Sequence, residues 1–343
     1  MRVPTPAEVL YEGEIAPVLL PPCDHYAGSE KLMRKSLALQ QRMGPVFDVT
    51  LDCEDGAAVG NEAQHAQLVA HILNAAENQF GRVGVRIHAY DHPHWRDDLR
   101  IILHETRRAP AYIMLPKVAD AAQARAMMEQ IESLRVAARL PHALPVHVLV
   151  ETHGALAEVR ALAALPQIES ISFGVMDFVS AHQGAIPAAA MRSPGQFDHP
   201  LVRRAKLEIA AACHACGKVP SHNVTTEIRD TTVVAQDAAR ARAEFGYTRM
   251  WSIHPDQIGP IVAAFTPAAD ELDSATQILL AAQAAHWGPI RHGDTLHDRA
   301  SFRYFWAVLR RARTAGAAMP AAAAIFFDAA QDAAGSRVGE NLG

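Results

Sequence analysis

Short apolar or β-branched runs punctuate the chain at residues 17–20, 46–51, 83–87, 112–115, 146–150, 168–173, 219–221 and 250–253. Most lack the polar alternation of a strand with one wet face, which is the pattern of parallel strands covered on both sides. Helix-length amphipathic stretches fill the gaps, among them 29–43, 120–140 and 155–165. Ser29 stands where an N-cap is wanted, with Lys31, Arg34 and Lys35 on the wet side of the helix it opens. Gly217 and Gly246 stand where helices should end.

Eight strands alternating with helices over about 250 residues predict an α/β protein built as a (β/α)8 TIM barrel. A doubly wound sheet is the rival. No G-x-G-x-x-G follows the first strand and no G-x-x-x-x-G-K-[ST] occurs, so neither phosphate-cradling loop speaks for nucleotide binding. Beyond Pro267 the strand runs stop, and 267–286 reads as a helix, 288–298 as a polar loop and 300–313 as another helix. The chain therefore divides into a catalytic barrel over 1–266 and a C-terminal helical extension over 267–343.

Composition narrows the class. Half of the 343 residues are hydrophobic and aromatics are only 6%, which excludes wholesale disorder and favours a helix-rich α/β fold. Net charge is −5 with no basic run, so neither nucleic acid nor an anionic membrane surface is an expected partner. No stretch of roughly 20 apolar residues suits a membrane span. Met1-Arg2-Val3-Pro4 opens without an apolar signal core, so a cytoplasmic protein is expected. Cys213-His214-Ala215-Cys216 has C-x-x-C spacing, but it closes a helical pattern and lacks a second ligand pair. It reads as small buried thiols on a helix face.

Barrel chemistry gathers at the C-terminal ends of strands. Here those ends are Asp52-Cys53-Glu54-Asp55-Gly56, Arg86-Ile87-His88, Pro116-Lys117, Glu151-Thr152-His153, Gly174-Val175-Met176-Asp177 and His254-Pro255. Carboxylates and cations from several strands thus converge on one mouth. Glu151 and Asp177, just past neighbouring strands, are the best pair for a hard cation such as Mg2+, which takes a few carboxylates and fills its shell with water and substrate oxygens. Arg86 offers a forked grip on a substrate carboxylate. A salt bridge at the rim is the competing account of any one of these residues. His88, His153, His222 and His254 also lie near the mouth, where supporting or solvent roles fit them better than catalysis.

The segments Leu51-Asp52-Cys53-Glu54-Asp55, Val85-Arg86-Ile87, Met114-Leu115-Pro116-Lys117-Val118, Val150-Glu151-Thr152, Phe173-Gly174-Val175-Met176-Asp177 and Ile253-His254-Pro255-Asp256-Gln257-Ile258 resemble, in order and spacing, a known family. It is the citrate lyase β-subunit-like (CitE-like) branch of the HpcH/HpaI aldolase superfamily, which includes malyl- and citramalyl-CoA lyases. The resemblance spans about residues 16–312.

It implies a homotrimer or a dimer of trimers, with Glu151 and Asp177 holding Mg2+ and Arg86 gripping a 2-oxo acid. Asp52 and Glu54 would orient waters around the metal, with Lys117 beside them at the substrate. Gly293-Asp294-Thr295-Leu296-His297-Asp298 resembles the family's extension loop, which makes Asp298 the acid/base for a neighbouring subunit's site. An N-cap for the helix at Ala300 is its other reading, and one residue can serve as both. Two departures stand out. The helix after the acidic motif reads Asn61-Glu62-Ala63-Gln64-His65-Ala66-Gln67, without the fixed cations that help hold coenzyme A. His88 and Asn223 stand where Asn and Asp are common.

The expected function is a Mg2+-dependent carbon–carbon lyase or aldolase that converts a 2-hydroxy acid, or its acyl-CoA thioester, to a 2-oxo acid and an enolate-derived product. An acyl-CoA thioesterase on the same metal site and a non-catalytic binding or assembly subunit are the alternatives.

Overall fold

The computed structural model describes residues 4–11, 14, 16–57 and 59–327. Its centre is a closed barrel of eight strands: β1 (Cys23–Ala27), β2 (Phe47–Asp52), β3 (Val83–Arg86), β4 (Ile113–Leu115), β5 (Val146–Val150), β6 (Ile168–Phe173), β7 (Val219–His222) and β8 (Arg249–Ser252). Each strand pairs in parallel with the next, and β8 closes on β1. The predicted α/β barrel is therefore the fold.

Seven strands fall where the apolar runs lie; the first does not. β1 is Cys-Asp-His-Tyr-Ala at 23–27, not the run at 17–20. The reason lies in the barrel interior. Register places Asp24 beside Asp48 and Tyr26 beside Thr50, so alternate residues of β1 and β2 face inward. The inward positions form layers. In the lowest, the buried Arg249 guanidinium meets Asp48 Oδ2 at 2.5 Å and Asp24 Oδ2 at 3.1 Å. Thr50 and the Tyr112 hydroxyl donate to Asp24 Oδ1 at 2.7 and 3.0 Å, and the Tyr112 ring stacks on His147 at 3.8 Å. Gly84 makes room for that ring, because a Cβ there would lie 2.2 Å from it. Buried charges survive only when paired, and here one cation answers two carboxylates. Above this layer Tyr26, Met114, Leu149 and Trp251 form an apolar floor.

Around the barrel, the helix Glu30–Met43 starts at Ser29 as expected, although the Ser29 side chain makes no capping bond. The single helix expected over 155–165 is two short ones, His153–Ala157 and Val159–Ala163. They break at Glu158, whose carboxylate is spent on the Ala121 amide 3.0 Å away. The C-x-x-C pair lies at the end of the helix Pro200–Ala215: Cys213 is buried, but Cys216 is exposed at the C-cap, and both are free thiols.

The barrel unit spans Leu20–Phe265, and a second unit combines the described residues before and after it. The helix Pro6–Leu10, which the sequence boundary put with the barrel, belongs to this second unit through Leu10, buried with Leu279, Phe302 and Trp306. The helices Ala269–Ala284 and Arg299–Thr314 carry its apolar core. The segment 288–298, expected as a loop, holds the antiparallel hairpin Ile290–His292 and Thr295–His297, turned at Gly293 with φ +59°. Asp298 caps the following helix, accepting from the amides of Ala300 and Ser301 at 3.0 and 3.4 Å. Among the described residues no helix is long and apolar enough to cross a membrane.

Candidate active site

At the C-terminal mouth of the barrel a cavity of about 440 Å3 is lined by Tyr26, Asp52, Arg86, Glu151, Asp177, Asn223 and Trp251, among others. Seven of the strands or the loops after them supply these groups, so barrel closure alone brings residues more than a hundred positions apart to one place.

Arg86 ends β3 and is only 9% exposed. Its Nε and Nη2 donate to Asp52 Oδ1 and Oδ2 at 2.7 and 2.5 Å, a forked pairing across adjacent strands. Nη1 lies 3.0 Å from Glu54 Oε2, and the guanidinium sits over the Tyr26 ring at 5.1 Å. Two of its five N–H groups are thus bonded to Asp52 and Nη1 is paired with Glu54, while the residue as a whole lines the cavity.

Asp52 is more fully used than the sequence suggested. Besides Arg86, Oδ1 accepts the Glu54 amide and Oδ2 the Gly56 amide, both at 2.9 Å. A carboxylate has about four lone-pair directions, and all four are taken. Asp52 therefore has none left to orient metal-bound water; it holds Arg86. Burial alone would raise its pKa, but the Arg86 charge and the four bonds hold it below the ordinary range.

Glu54 and Lys117 are turned away from this cavity. Lys117 Nζ bonds Glu54 and lies 2.9 Å from Asp55 Oδ2, and both Glu54 and Lys117 line a neighbouring cavity of about 460 Å3. Lys117 reaches the metal-site candidates through its backbone instead. Its φ of +48° lies in the left-handed region, and its amide donates to Glu151 Oε1 at 2.6 Å. That conformation costs a β-carbon-bearing residue about 1–3 kcal/mol.

Glu151 follows β5 and is 4% exposed. Burial first, then the Asp177 carboxylate, pushes its pKa up to about 8. Asp177, half-buried in the helix Val175–Ser180, lines the same cavity. Gly174 makes room for the Glu151 carboxylate: a Cβ there would stand 2.3 Å from Glu151 Oε2. Two carboxylates that line one cavity, with Asp177 near enough to act on Glu151, could hold a hard divalent cation, with open cavity for water and substrate oxygens. Among the described residues no cluster of three or more His, Cys, Asp or Glu groups forms a metal cage. The donor set fits Mg2+, which keeps several waters, rather than a caged transition metal.

The four histidines separate. His88 is tied to Asp98, with Nδ1 2.6 Å from Oδ2, and stacks on His92 at 3.9 Å. His222 is wholly buried against Lys206. His254 is half-buried, 3.6 Å from Asp256. Only His153 borders Glu151 and Asp177, from a third cavity of about 560 Å3. Tyr26, Trp251 and Asn223 were missed as cavity residues. The alternation of Asp24 and Tyr26 in β1 was the available signal for the first.

Comparison with known proteins agrees with the fold. The HpcH/HpaI aldolase/citrate lyase family profile matches residues 33–255. A citrate lyase from Burkholderia xenovorans LB400, known from a crystal structure, is 67% identical with a TM-score of 0.83, covering 94% of this chain and 100% of that one. The L-malyl-CoA/beta-methylmalyl-CoA lyase of Cereibacter sphaeroides is 27% identical over 277 residues, 77% of this chain and 86% of that protein. The CitE protein of Mycobacterium tuberculosis, solved with magnesium, acetoacetate and coenzyme A, shares the fold at 24% identity and a TM-score of 0.64, covering 86% of this chain and 98% of that one. The relatives are named lyases, and with them this chain is a carbon–carbon lyase. The chain belongs to the HpcH/HpaI aldolase/citrate lyase family, within its citrate lyase β-subunit-like branch.

Proposed function

We propose that this lyase is Mg2+-dependent and cleaves, or in reverse forms, a 2-hydroxy acid or its acyl-CoA thioester, with a 2-oxo acid as one product. The observation that carries the reading is that buried Glu151 and half-buried Asp177 line one cavity whose wall also holds Arg86. Mg2+ held by Glu151 and Asp177 would supply several kcal/mol of charge stabilisation to oxygens of the reacting acid.

The chain's own residues do the rest. Arg86, oriented by Asp52, takes the substrate carboxylate in a forked grip. The apolar floor of Tyr26, Met114, Leu149 and Trp251 keeps water from beneath the reacting carbons. Loss of the hydroxyl proton to a base lets the carbon–carbon bond break, its electrons passing to the departing half as an enolate. Asp298, exposed at its helix N-terminus, is the acid/base in this reading, acting in a neighbouring subunit of a homotrimer or hexamer. Its support is the resemblance of the loop that carries it. A positioned acid/base contributes about 10²–10⁴ in rate.

The thioester form draws support from relatives named as acyl-CoA lyases. The helix Glu62–Leu73 brings no Lys or Arg to that form.

The test is turnover of malyl-CoA and citramalyl-CoA, and of the free acids, with and without Mg2+. Wild type should release a 2-oxo acid only with Mg2+; Glu151→Gln and Asp177→Asn should abolish release, and Asp298→Asn should lower it at unchanged Mg2+ affinity. Release of a free hydroxy acid without a 2-oxo acid would mark thioester hydrolysis instead. Wild-type rates in either metal-site variant would end the metal assignment.

A further inference from the structure

The cavity has an acceptor whose orientation is fixed from behind by a buried network, and we propose that Asn223 determines specificity: its carboxamide oxygen accepts a hydrogen bond from the hydroxyl of the bound substrate. The proposal rests on the hydroxy-acid reading above.

Asn223 follows β7, is 1% exposed and lines the cavity with Glu151 and Asp177. Its amide orientation follows from a chain of hydrogen bonds that begins at Asp237. That carboxylate can only accept, and its Oδ2 takes Gln196 Nε2 at 2.9 Å and Thr225 Oγ1 at 2.6 Å. Gln196 must therefore present its NH2 to Asp237 and its oxygen the other way. There Gln196 Oε1 accepts from Lys206 Nζ at 3.0 Å and from Asn223 Nδ2 at 2.6 Å. The second Asn223 hydrogen goes to the Val224 carbonyl at 2.8 Å. Flipping the Asn223 amide would set its oxygen against two acceptors at once, so the flip is closed.

The anchor is rigid as well. Lys206 Nζ lies 2.7 Å from His222 Nε2 and 3.9 Å above the Phe197 ring, wholly buried. His222 Nδ1 faces the Asn223 carbonyl at 3.0 Å and so carries the ring proton, leaving Nε2 to accept from Lys206. After this inventory the Asn223 Oδ1 atom is buried with no hydrogen-bond partner. A buried acceptor is costly to leave unmade and is normally matched by a donor. The cavity's other polar groups favour ligand oxygens of opposite character: Arg86 attracts a carboxylate, and Glu151 with Asp177 attract a cation. In a 2-hydroxy acid with ionised carboxylates, the hydroxyl is the donor left to meet Oδ1 in the bound ground state, a hydrogen bond given up when that proton passes to the base.

The test compares L-malate with succinate, which differ by that hydroxyl, as ligands titrated calorimetrically into the full chain with saturating Mg2+. In wild type malate should bind more tightly. Asn223→Leu removes the acceptor and should lower the malate-to-succinate preference on the order of tenfold, whatever the change in affinity common to both acids. An unchanged preference in a folded Asn223→Leu protein overturns the proposal. Should that variant fail to fold, a crystal structure of wild type with Mg2+ and L-malate decides. A hydroxyl within about 3.2 Å of Asn223 Oδ1 supports the assignment, and its absence there overturns it. Failure of wild type to bind either acid with Mg2+ strikes the hydroxy-acid reading itself and takes this one with it. Mg2+-dependent binding with unchanged discrimination strikes the Asn223 assignment alone.

Discussion

Asp52→Asn swaps one oxygen for an NH2 group at a position where every neighbour is a donor. Arg86 approaches both oxygens, and the Glu54 and Gly56 amides approach one each. Whichever way the new amide turns, its NH2 faces an N–H of Arg86 and one backbone N–H. The site is 2% exposed, so water cannot repair the mismatch. Breaking a buried ion pair by changing one partner costs about 3–5 kcal/mol, and the surviving oxygen places this variant near the lower end. For a barrel of this size, about 3 kcal/mol lowers Tm by roughly 6–12 °C.

The sign with pH follows from the pair. Asp52 is held below its ordinary pKa, so its contribution is present above the unfolded value near 3.8 and is lost as pH falls through the folded one. Wild type and variant should therefore differ by urea denaturation at pH 7 and converge towards pH 3. Function should suffer too, because Arg86 loses its orienting fork: kcat/KM for the acid should fall by about tenfold or more, as it should in Arg86→Lys. A variant within about 0.5 kcal/mol of wild type, with kcat/KM intact, would refute the claim that Asp52 acts by holding Arg86.

Three further outcomes follow from the carboxylates proposed to hold Mg2+. Gly174→Ala places a methyl 2.3 Å from Glu151 Oε2 and 2.6 Å from its Cβ and should weaken Mg2+ binding at least tenfold, which calorimetric titration checks, with an overpacking cost of about 1–3 kcal/mol that lowers Tm as well. Glu151, raised from an ordinary 4.5 to about 8, favours the metal-free fold most when protonated. With chelator present, stability should decline from about pH 4.5 to about pH 8 by up to roughly 1.4 kcal/mol per pH unit from this group, and Glu151→Gln should flatten that slope. A Mg2+ ion must displace the same proton, so its apparent affinity should climb over this window and level off above it.

Much of the architecture was legible in the chain itself. Seven apolar runs, each long enough for a strand and most without polar alternation, announced a sheet covered on both faces, and helix-length stretches between them implied parallel crossovers. The strand ends also gave up Arg86, Glu151 and Asp177, because charge immediately after an apolar run is conspicuous. β1 escaped because its inward residues are Asp24 and Tyr26, polar groups that look wet in sequence and are dry in a closed barrel.

What a side chain does with its charge was decided elsewhere. Asp52, Glu54 and Lys117 read alike as mouth residues, yet Asp52 is consumed by a partner 34 positions away, Lys117 offers Glu151 its amide, and Glu54 and the Lys117 ammonium bind each other. The orientation of Asn223 hangs on Gln196 and Asp237, which no local pattern connects. Hydrophobic periodicity reports how deep a residue lies, since burial is a property of one position. Hydrogen-bond partners belong to pairs, and those pairs exist only after the barrel closes and its register sets which strand ends face each other.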